Sequence, residues 1–490
     1  MQIICEGHPQ VVALSEGIQV KLYRPTILDE PVLQGETDAD AAGVSIYGSV
    51  IRDGSVFRMW YQAWPKNWDG ADVIAVGCVE SDDGMNWRRP SYGLIECCGS
   101  TRNHLTDLPF HSTSVLIDPT AAPSARYRAF GSASPNRVRQ YPQKINKPGY
   151  FTAHSADGLH WELDSPDPVW PWMDVITSVW DNYSGCARIA LKHNLPIRRL
   201  SRRSFFTAEW ARGKATQPVS ALIPDEYDDL LSQAQGFNST DYYGVGLLPT
   251  EGTTVGFLWN FRHQLPIAYY EPGMFHYGDV GRVDITIVYQ TERGGRWQHV
   301  TGRPDWLSAQ DMPDWARGAL YTAAYPIDVG DETWLYFCGS LDRHGWCGKG
   351  ISYAEFVKSA PEKGGWSRIG LAKWPKNRII GYEAALTDYI VLSPLVVIAE
   401  RTGAKVESKL SLNVVTRSGG QVRVQLINED NRQPIAGYTF DDCQVITGDH
   451  LEATIRWKGK EGLPSLSSGP SMLAQIELTK ATLYAFDFIL

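Results

Sequence analysis

Ser81-Asp82-Asp83-Gly84-Met85-Asn86-Trp87 and Ser155-Ala156-Asp157-Gly158-Leu159-His160-Trp161 share one pattern, S-x-D-G-x-x-W. Each follows an alternating apolar run that reads as a β-strand. Asp-Gly makes a tight turn, and the Trp then packs the outgoing strand. A phrase repeated after strands predicts one blade-like unit used several times, and hence a β-propeller. The Asp residues of the phrase belong to the turn.

The pattern extends outward from there. Residues 44–50, the turn Asp53-Gly54, residues 56–64 and residues 73–79 make three strands ahead of the first phrase. Residues 115–118, 126–130 and 150–154 do the same ahead of the second. Weaker copies keep parts of the phrase. One covers 184–190, 197–201 and 204–210; another covers 243–248, 254–261, 284–289 and 290–297; the last covers 319–327, 333–338 and 350–356. Five units of roughly 60–80 residues result, so the loops are long and are where a pocket would be built. Helical periodicity is confined to residues 225–231, after Pro224.

After Lys376 the alternation changes. Val422-Arg423-Val424-Gln425-Leu426 alternates strictly, 428–434 is a turn cluster, and 451–457 and 473–478 alternate again before an apolar end at 481–490. The expected architecture is all-β: a five-bladed β-propeller over residues 1–375, followed by a β-sandwich domain over 376–490.

Composition narrows the partners. The 490 residues are 43% hydrophobic and 21% charged, with 18 Trp and 23 Tyr. A net charge of -9 argues against nucleic acid, which needs a basic face. The basic stretch Arg188, Lys192, Arg198, Arg199, Arg202 and Arg203 reads chiefly as a solvated strand face; its other reading is a site for a carboxylate or sulfate on a ligand. No apolar run is long enough to span a membrane. The start, Met1-Gln2-Ile3-Ile4-Cys5-Glu6, carries no basic region followed by a long apolar stretch, so a cytoplasmic protein is expected. The eight Cys have no metal-binding spacing, and Cys78 and Cys338 fall in apolar strands as buried thiols. No phosphate-loop, zincin or nucleophile-elbow motif occurs, and neither a cofactor nor a metal is expected.

Arg58-Met59-Trp60-Tyr61 ahead of the turn phrase, and Asp118-Pro119 ahead of Arg126-Tyr127-Arg128-Ala129, resemble the five-bladed propeller glycoside hydrolases, families 32, 43, 68 and relatives. Gly437-Tyr438, Asp441-Asp442-Cys443 and Gly448-Asp449 resemble the sandwich appended to family 32-like bacterial proteins. The resemblance covers most of the chain and is specific for the fold. It implies a glycoside or oligosaccharide substrate at the propeller axis and carboxylates that act as nucleophile or base, as acid, and as orienting group. The W-x-N-D-P-N signature of family 32 is absent, and the one Glu-Cys, Glu96-Cys97, lies upstream of Asp118-Pro119, out of the family's order.

The positions that match are the starts of innermost strands. They leave Glu36, Asp38 and Asp40 as candidates in the first unit, Asp118 and Asp181 in a middle one, Asp241 in the fourth, and Glu271 in a long loop. Asp118 reads as the turn residue of its pair, so the expected catalytic set is one carboxylate from Glu36, Asp38 or Asp40 with Asp181 and Asp241 as its partners. Arg262, His263, Arg317, His344 and His111 fall in loops that reach the axis, where they would hold substrate hydroxyls or an acidic group. Trp64, Trp68, Trp180 and Trp259 could stack on a sugar ring. Two further functions stay open: a cyclase, lyase or isomerase on the same scaffold, favoured by a channel of Trp, Tyr and His, and a non-catalytic sugar-binding propeller.

Overall fold

The structure, a computed structural model, describes residues 1–66, 68, 75–135, 141–172, 174–197, 200–264, 280–344, 364–392, 409–464 and 472–489. Five antiparallel units follow one another. Their innermost strands are Gly43–Asp53, His111–Ile117, Ile176–Asp181, Ser239–Pro249 and Ala319–Thr322. Each pairs with a second strand: Val56–Trp64, Tyr127–Ala133, Cys186–Ile197, Thr254–His263 and Glu332–Ser340. Third strands follow at Ala75–Ser81, Gly149–Ser155, Leu200–Ala211, Gly281–Gln290 and Gly364–Pro375.

Hydrogen bonds between the innermost strands close the five units into a ring. Val115 N donates to Ser49 Oγ at 2.9 Å. Ser178 N donates to Ser114 Oγ at 2.9 Å. Thr177 Oγ1 donates to Val245 O. Leu247 N donates to Ala324 O, and Ala324 N to Gly48 O, both at 2.8 Å. Each link joins one unit to the next, and the last returns to the first. Short Ser, Thr and Gly side chains let these strands approach, as a packed axis demands. The ring is a five-bladed propeller. Its last blade takes its outer strands, Thr26–Ile27 and Leu33–Gly35, from the N-terminal segment.

The S-x-D-G-x-x-W phrase joins the third strand of a blade to its edge, and it also ties blades together. Asp83 Oδ1 accepts from Met85 N and Asn86 N, both at 2.8 Å. Asp157 Oδ1 accepts from Leu159 N and His160 N at 2.8 and 2.9 Å. The turn carbonyls point at the preceding blade. Trp60 Nε1 donates to Gly158 O at 2.8 Å, Arg58 Nη1 to Asp157 O at 2.9 Å, and Tyr336 OH to Gly84 O at 2.7 Å. Gly158 has φ +78°, and a Cβ there would lie 2.7 Å from the Trp60 ring.

Several local expectations shift. Ile197 and Leu200 end two strands of one long hairpin, Cys186–Ile197 with Leu200–Ala211, which pair from Ala187 with Trp210 through Ile197 with Leu200. The run 350–356 lies outside the described residues. The helix forms as Glu226–Ala234, capped by the Asp225 carboxylate. Cys78 and Cys338 are buried, and burial pushes their thiols up to about 12 and about 11.

The last sheet is built on Ile380–Leu392, Lys409–Asn428 and Met472–Ile489. All three break register midway, at 384/387, 416/421 and 479/481. One apolar core holds side chains from both halves, including Leu410, Leu412, Val424, Leu426, Ile476 and Phe486. The N-terminal strands Gln2–Ile3, Val11–Leu14 and Ile18–Leu22 also pair into this sheet, so the first 22 residues lie with the C-terminal strands. No helix among the described residues is long and apolar enough to cross a membrane.

Gly54 (φ +64°) offers a control for Gly158, because a Cβ there meets nothing within 4 Å. Both Gly→Ala changes carry the left-handed backbone cost, and only Gly158→Ala also overpacks an inter-blade contact. Gly158→Ala is expected to lose about 1–3 kcal/mol more than Gly54→Ala in urea unfolding. Equal losses would show that the turn does not lock the blades.

Candidate active site

All five innermost strands begin at the same face of the ring, and side chains from every blade meet there. Tyr47 of blade one lies 6.0 Å from His111 of blade two and 5.4 Å from Tyr321 of blade five, centroid to centroid. Tyr243 of blade four lies 5.6 Å from Tyr321 and 4.9 Å from His344, both of blade five. Blade three contributes Asp174, Lys192 and Arg203.

Asp174 stands two residues ahead of the innermost strand of blade three, with φ +124°. That is a glycine-like conformation for a side-chain-bearing residue, and such strain concentrates at functional sites. Its side chain is 37% exposed although protein surrounds it, as befits a carboxylate facing an opening. It forms an ion pair with Lys192. Burial opposes its ionisation, but Lys192, His111 and Arg203 outweigh that and hold the carboxyl below its ordinary range. The Lys192 ammonium lies 3.9 Å from the centre of the Tyr243 ring, and the Arg203 guanidinium lies 5.6 Å from it. The Tyr243 hydroxyl is 3.0 Å from His344 Nε2. Burial pushes the Tyr243 and Tyr321 phenols well up, so both stay neutral donors.

Behind this face sits Asp241, 1% exposed. It accepts from Arg202 Nε at 2.9 Å, contacts Arg203 Nη1 at 3.5 Å, and lies 3.1 Å from His263 Nε2. Burial raises its pKa, but His263, Arg203 and Arg202 override that and bring it to about 2. Asp241 is a fixed anion that holds Arg203 and His263 in place.

Among the other expected carboxylates, Glu36 and Asp38 are exposed and pair with Arg89 at 2.7 Å and Lys66 at 3.3 Å. Asp40 is fully buried and saturated. It accepts from the backbone of Glu36 and Thr37, from Tyr61 OH at 2.9 Å and from Arg89 Nε at 2.9 Å. Asp181 ends its strand five residues beyond Ile176, about 17 Å along it, at the opposite face of the ring from Asp174. There it accepts from Tyr183 N at 2.9 Å and Arg188 Nε at 2.7 Å. Asp118 likewise binds its own turn, through Thr120 N at 2.8 Å. Glu271 lies outside the described residues.

Of the expected binding residues, His344 and His111 reach the axial face. His263 is 1% exposed and backs it. Arg262 is buried in an ion network with Asp284 at 2.8 Å and with Asp305, pointing away from its neighbour His263, because successive residues of a strand face opposite sides. Arg317 is exposed beside Asp314 at 2.7 Å. Trp259 is fully buried and donates to Thr322 Oγ1 at 3.0 Å, so it packs behind Tyr47 and Tyr321 rather than meeting a ligand. Trp180 packs in the core between blades two and three. Trp64 is half-buried, donates to Ser45 Oγ at 3.0 Å and lies 4.5 Å from Trp68.

Sequence reasoning missed Asp174, Tyr47, Tyr243 and Tyr321. It also read the basic stretch as solvated, whereas Lys192 and Arg202 are buried and Arg188 and Arg203 are ion-paired; Arg198 and Arg199 lie outside the described residues. Two cations on facing strands of one hairpin, Lys192 and Arg203, were the available signal. Two clefts among the described residues lie elsewhere. A cleft of about 590 Å3 is lined by Arg188, Glu209, Gln290 and Trp297, and one of about 380 Å3 by Asp38, Arg89, Cys98 and His104.

No protein-family model and no curated protein matches the chain. Among solved structures, the chain is similar to a glycoside hydrolase at 11% identity and TM-score 0.45, covering 71% of this chain and 92% of that one. It is also similar to a glycosyl hydrolase from Bacteroides ovatus at 11% identity and TM-score 0.43, covering 76% and 98%. The exo-β-1,3-galactanase of Phanerochaete chrysosporium matches at 11% identity and TM-score 0.37, covering 93% and 100%. None is close enough in shape to carry a substrate or a residue role to this chain.

Removing the Asp241 charge takes a buried anion away from Arg202, Arg203 and His263. Asp241→Asn is expected to cost about 3 kcal/mol near neutral pH. With a folded pKa of about 2, against about 3.9 for a free Asp side chain, its stabilisation is complete above about pH 4 and lost as pH falls toward 2. The stability gap between wild type and Asp241→Asn in urea titrations should therefore narrow across that window. A gap that stays constant would overturn the assignment.

Proposed function

We propose that the protein is a glycoside-acting enzyme whose active site is the axial face, with Asp174 as its catalytic carboxylate. The observation that carries this reading is a strained, ionised, partly open carboxylate where side chains of all five blades converge. The resemblance of the blade motifs to propeller glycoside hydrolases supports the substrate class.

Cleavage of a glycosidic bond develops positive charge on the sugar and needs a proton on the leaving oxygen. Asp174, held ionised, stabilises that charge and accepts the proton that the incoming water loses as it bonds to the sugar carbon. The proton on the leaving oxygen comes from His344, whose Nε2 lies 3.0 Å from the Tyr243 hydroxyl that orients it. Asp241, fully engaged behind Arg203, positions and does not transfer. The sugar face packs on Tyr47, which Tyr321 and Trp259 back. No described residue of the C-terminal sheet joins the cluster.

A lyase, isomerase or cyclase on a small metabolite is the second reading. It is favoured by one open carboxylate set among Tyr, His, Lys and Arg, where glycosidases use two carboxyls. Turnover of a panel of aryl glycosides separates the readings. On a glycoside that turns over, Asp174→Asn should lower kcat about a hundredfold or more with circular dichroism unchanged, and Asp181→Asn should leave kcat intact. Wild-type turnover in Asp174→Asn would remove the carboxylate assignment.

A further inference from the structure

We propose that Cys97 and Cys98 form a redox modification site, at which a low-molecular-weight disulfide oxidises the two neighbouring thiols to a reversible vicinal disulfide.

Seven cysteines lie among the described residues, and five of them are buried. Cys97 is half-buried and Cys98 is exposed, so within that set these two are the thiols open to a reagent. Their sulfurs lie 3.8 Å apart, on the wall of the cleft of about 380 Å3. Cys97 N donates to Ser100 O at 2.9 Å and Ser100 N to Cys97 O at 3.1 Å, which closes a two-residue turn. Both central residues have positive φ, Cys98 at +51° and Gly99 at +80°. Such a turn takes Asn-Gly, Asp-Gly or Gly-Gly most readily. A cysteine therefore holds a strained position that asparagine would fill more easily, and strain of that kind concentrates at functional positions.

The exposed Cys98 thiol loses its proton, and the thiolate attacks one sulfur of the small disulfide. One small thiolate leaves and takes up a proton, and a mixed disulfide remains on Cys98. Cys97 then attacks the Cys98 sulfur as a thiolate and releases the second small thiol. Two protein thiols are oxidised, and one disulfide is reduced to two thiols. Burial first, and the charge of Cys98 after it, push the Cys97 thiol up to about 12. Capping Cys98 removes the second cause, so Cys97 is the sulfur that closes the ring. Adjacent Cα atoms stand about 3.8 Å apart, closer than the usual disulfide span of about 4.4–6.8 Å, so the bond is strained and easily reduced. That suits a switch rather than a staple. Oxidation also consumes the hydrogen that Cys98 Sγ donates to Asp38 O at 3.4 Å. One hold is thereby lost on the segment that leads into Gly43–Asp53, the innermost strand of blade one.

Treating the folded full chain with dithiodipyridine reads both steps, because each displacement releases one coloured pyridinethione. Above the background of the double variant Cys97→Ser/Cys98→Ser, the wild type should release two equivalents and keep no pyridyl group by mass spectrometry. Its peptide holding both cysteines should be lighter by two hydrogens, and dithiothreitol should restore it. Cys97→Ser should release one equivalent and retain a pyridyl group on Cys98. Amide hydrogen exchange at residues 36–40 should quicken about threefold or more in the oxidised chain. Pyridyl groups kept on both cysteines, a bond from either to another cysteine, or no release above the double variant would overturn the site. Unchanged exchange at 36–40 would overturn its tie to blade one.

Discussion

The ring of hydrogen bonds between the five innermost strands is the constraint on which the rest depends. Ser49, Ser114, Thr177, Leu247 and Ala324 link each strand to the next, and Gly48 O closes the circle. Such links need small residues at the contact. At Gly48 a Cβ would overlap the carbonyl of Trp60 on the second strand of the same blade and lie 3.1 Å from the carbonyl of Thr113 in blade two. Once the ring closes, five strand starts share one face. Residues far apart in the chain, from Tyr47 to His344, then become neighbours.

The outer layers keep that ring rigid. The turn phrases accept hydrogen bonds from Trp60, Arg58 and Tyr336 of the preceding blades. Their own Asp residues are consumed by the turn backbone. The N-terminal strands complete blade five and also enter the C-terminal sheet, which ties that sheet to the ring. A strained Asp174, a cost of about 1–3 kcal/mol, is sustainable only on such a scaffold.

Buried carboxylates are numerous here, and most are anchors. Asp40, Asp241 and Asp284 are each at or below 1% exposure and each is met by at least one arginine. Taking one partner from such a group leaves a charge without solvent, which suits them to holding geometry rather than to turning over with a substrate. Asp174 differs because it keeps a face open. The proximity of Asp241 to a strand start was legible in the sequence. Its saturation was not, because Arg202 and Arg203 reach it from the neighbouring blade.

The alternation of apolar residues and the repeated Asp-Gly turn phrase pointed by themselves to blades, to five units and to the all-β class. These are local properties, set by a period of two and by backbone conformations that glycine tolerates. Which acid faces the axis is a different kind of fact. Adjacent residues such as Arg262 and His263 point to opposite sides, and a bulge between Tyr242 and Gly244 shifts the register within a single strand. Asp174 has no motif around it. It matters only because Lys192, Arg203, Tyr243, His111 and His344 converge on it, and that convergence exists once the ring is closed.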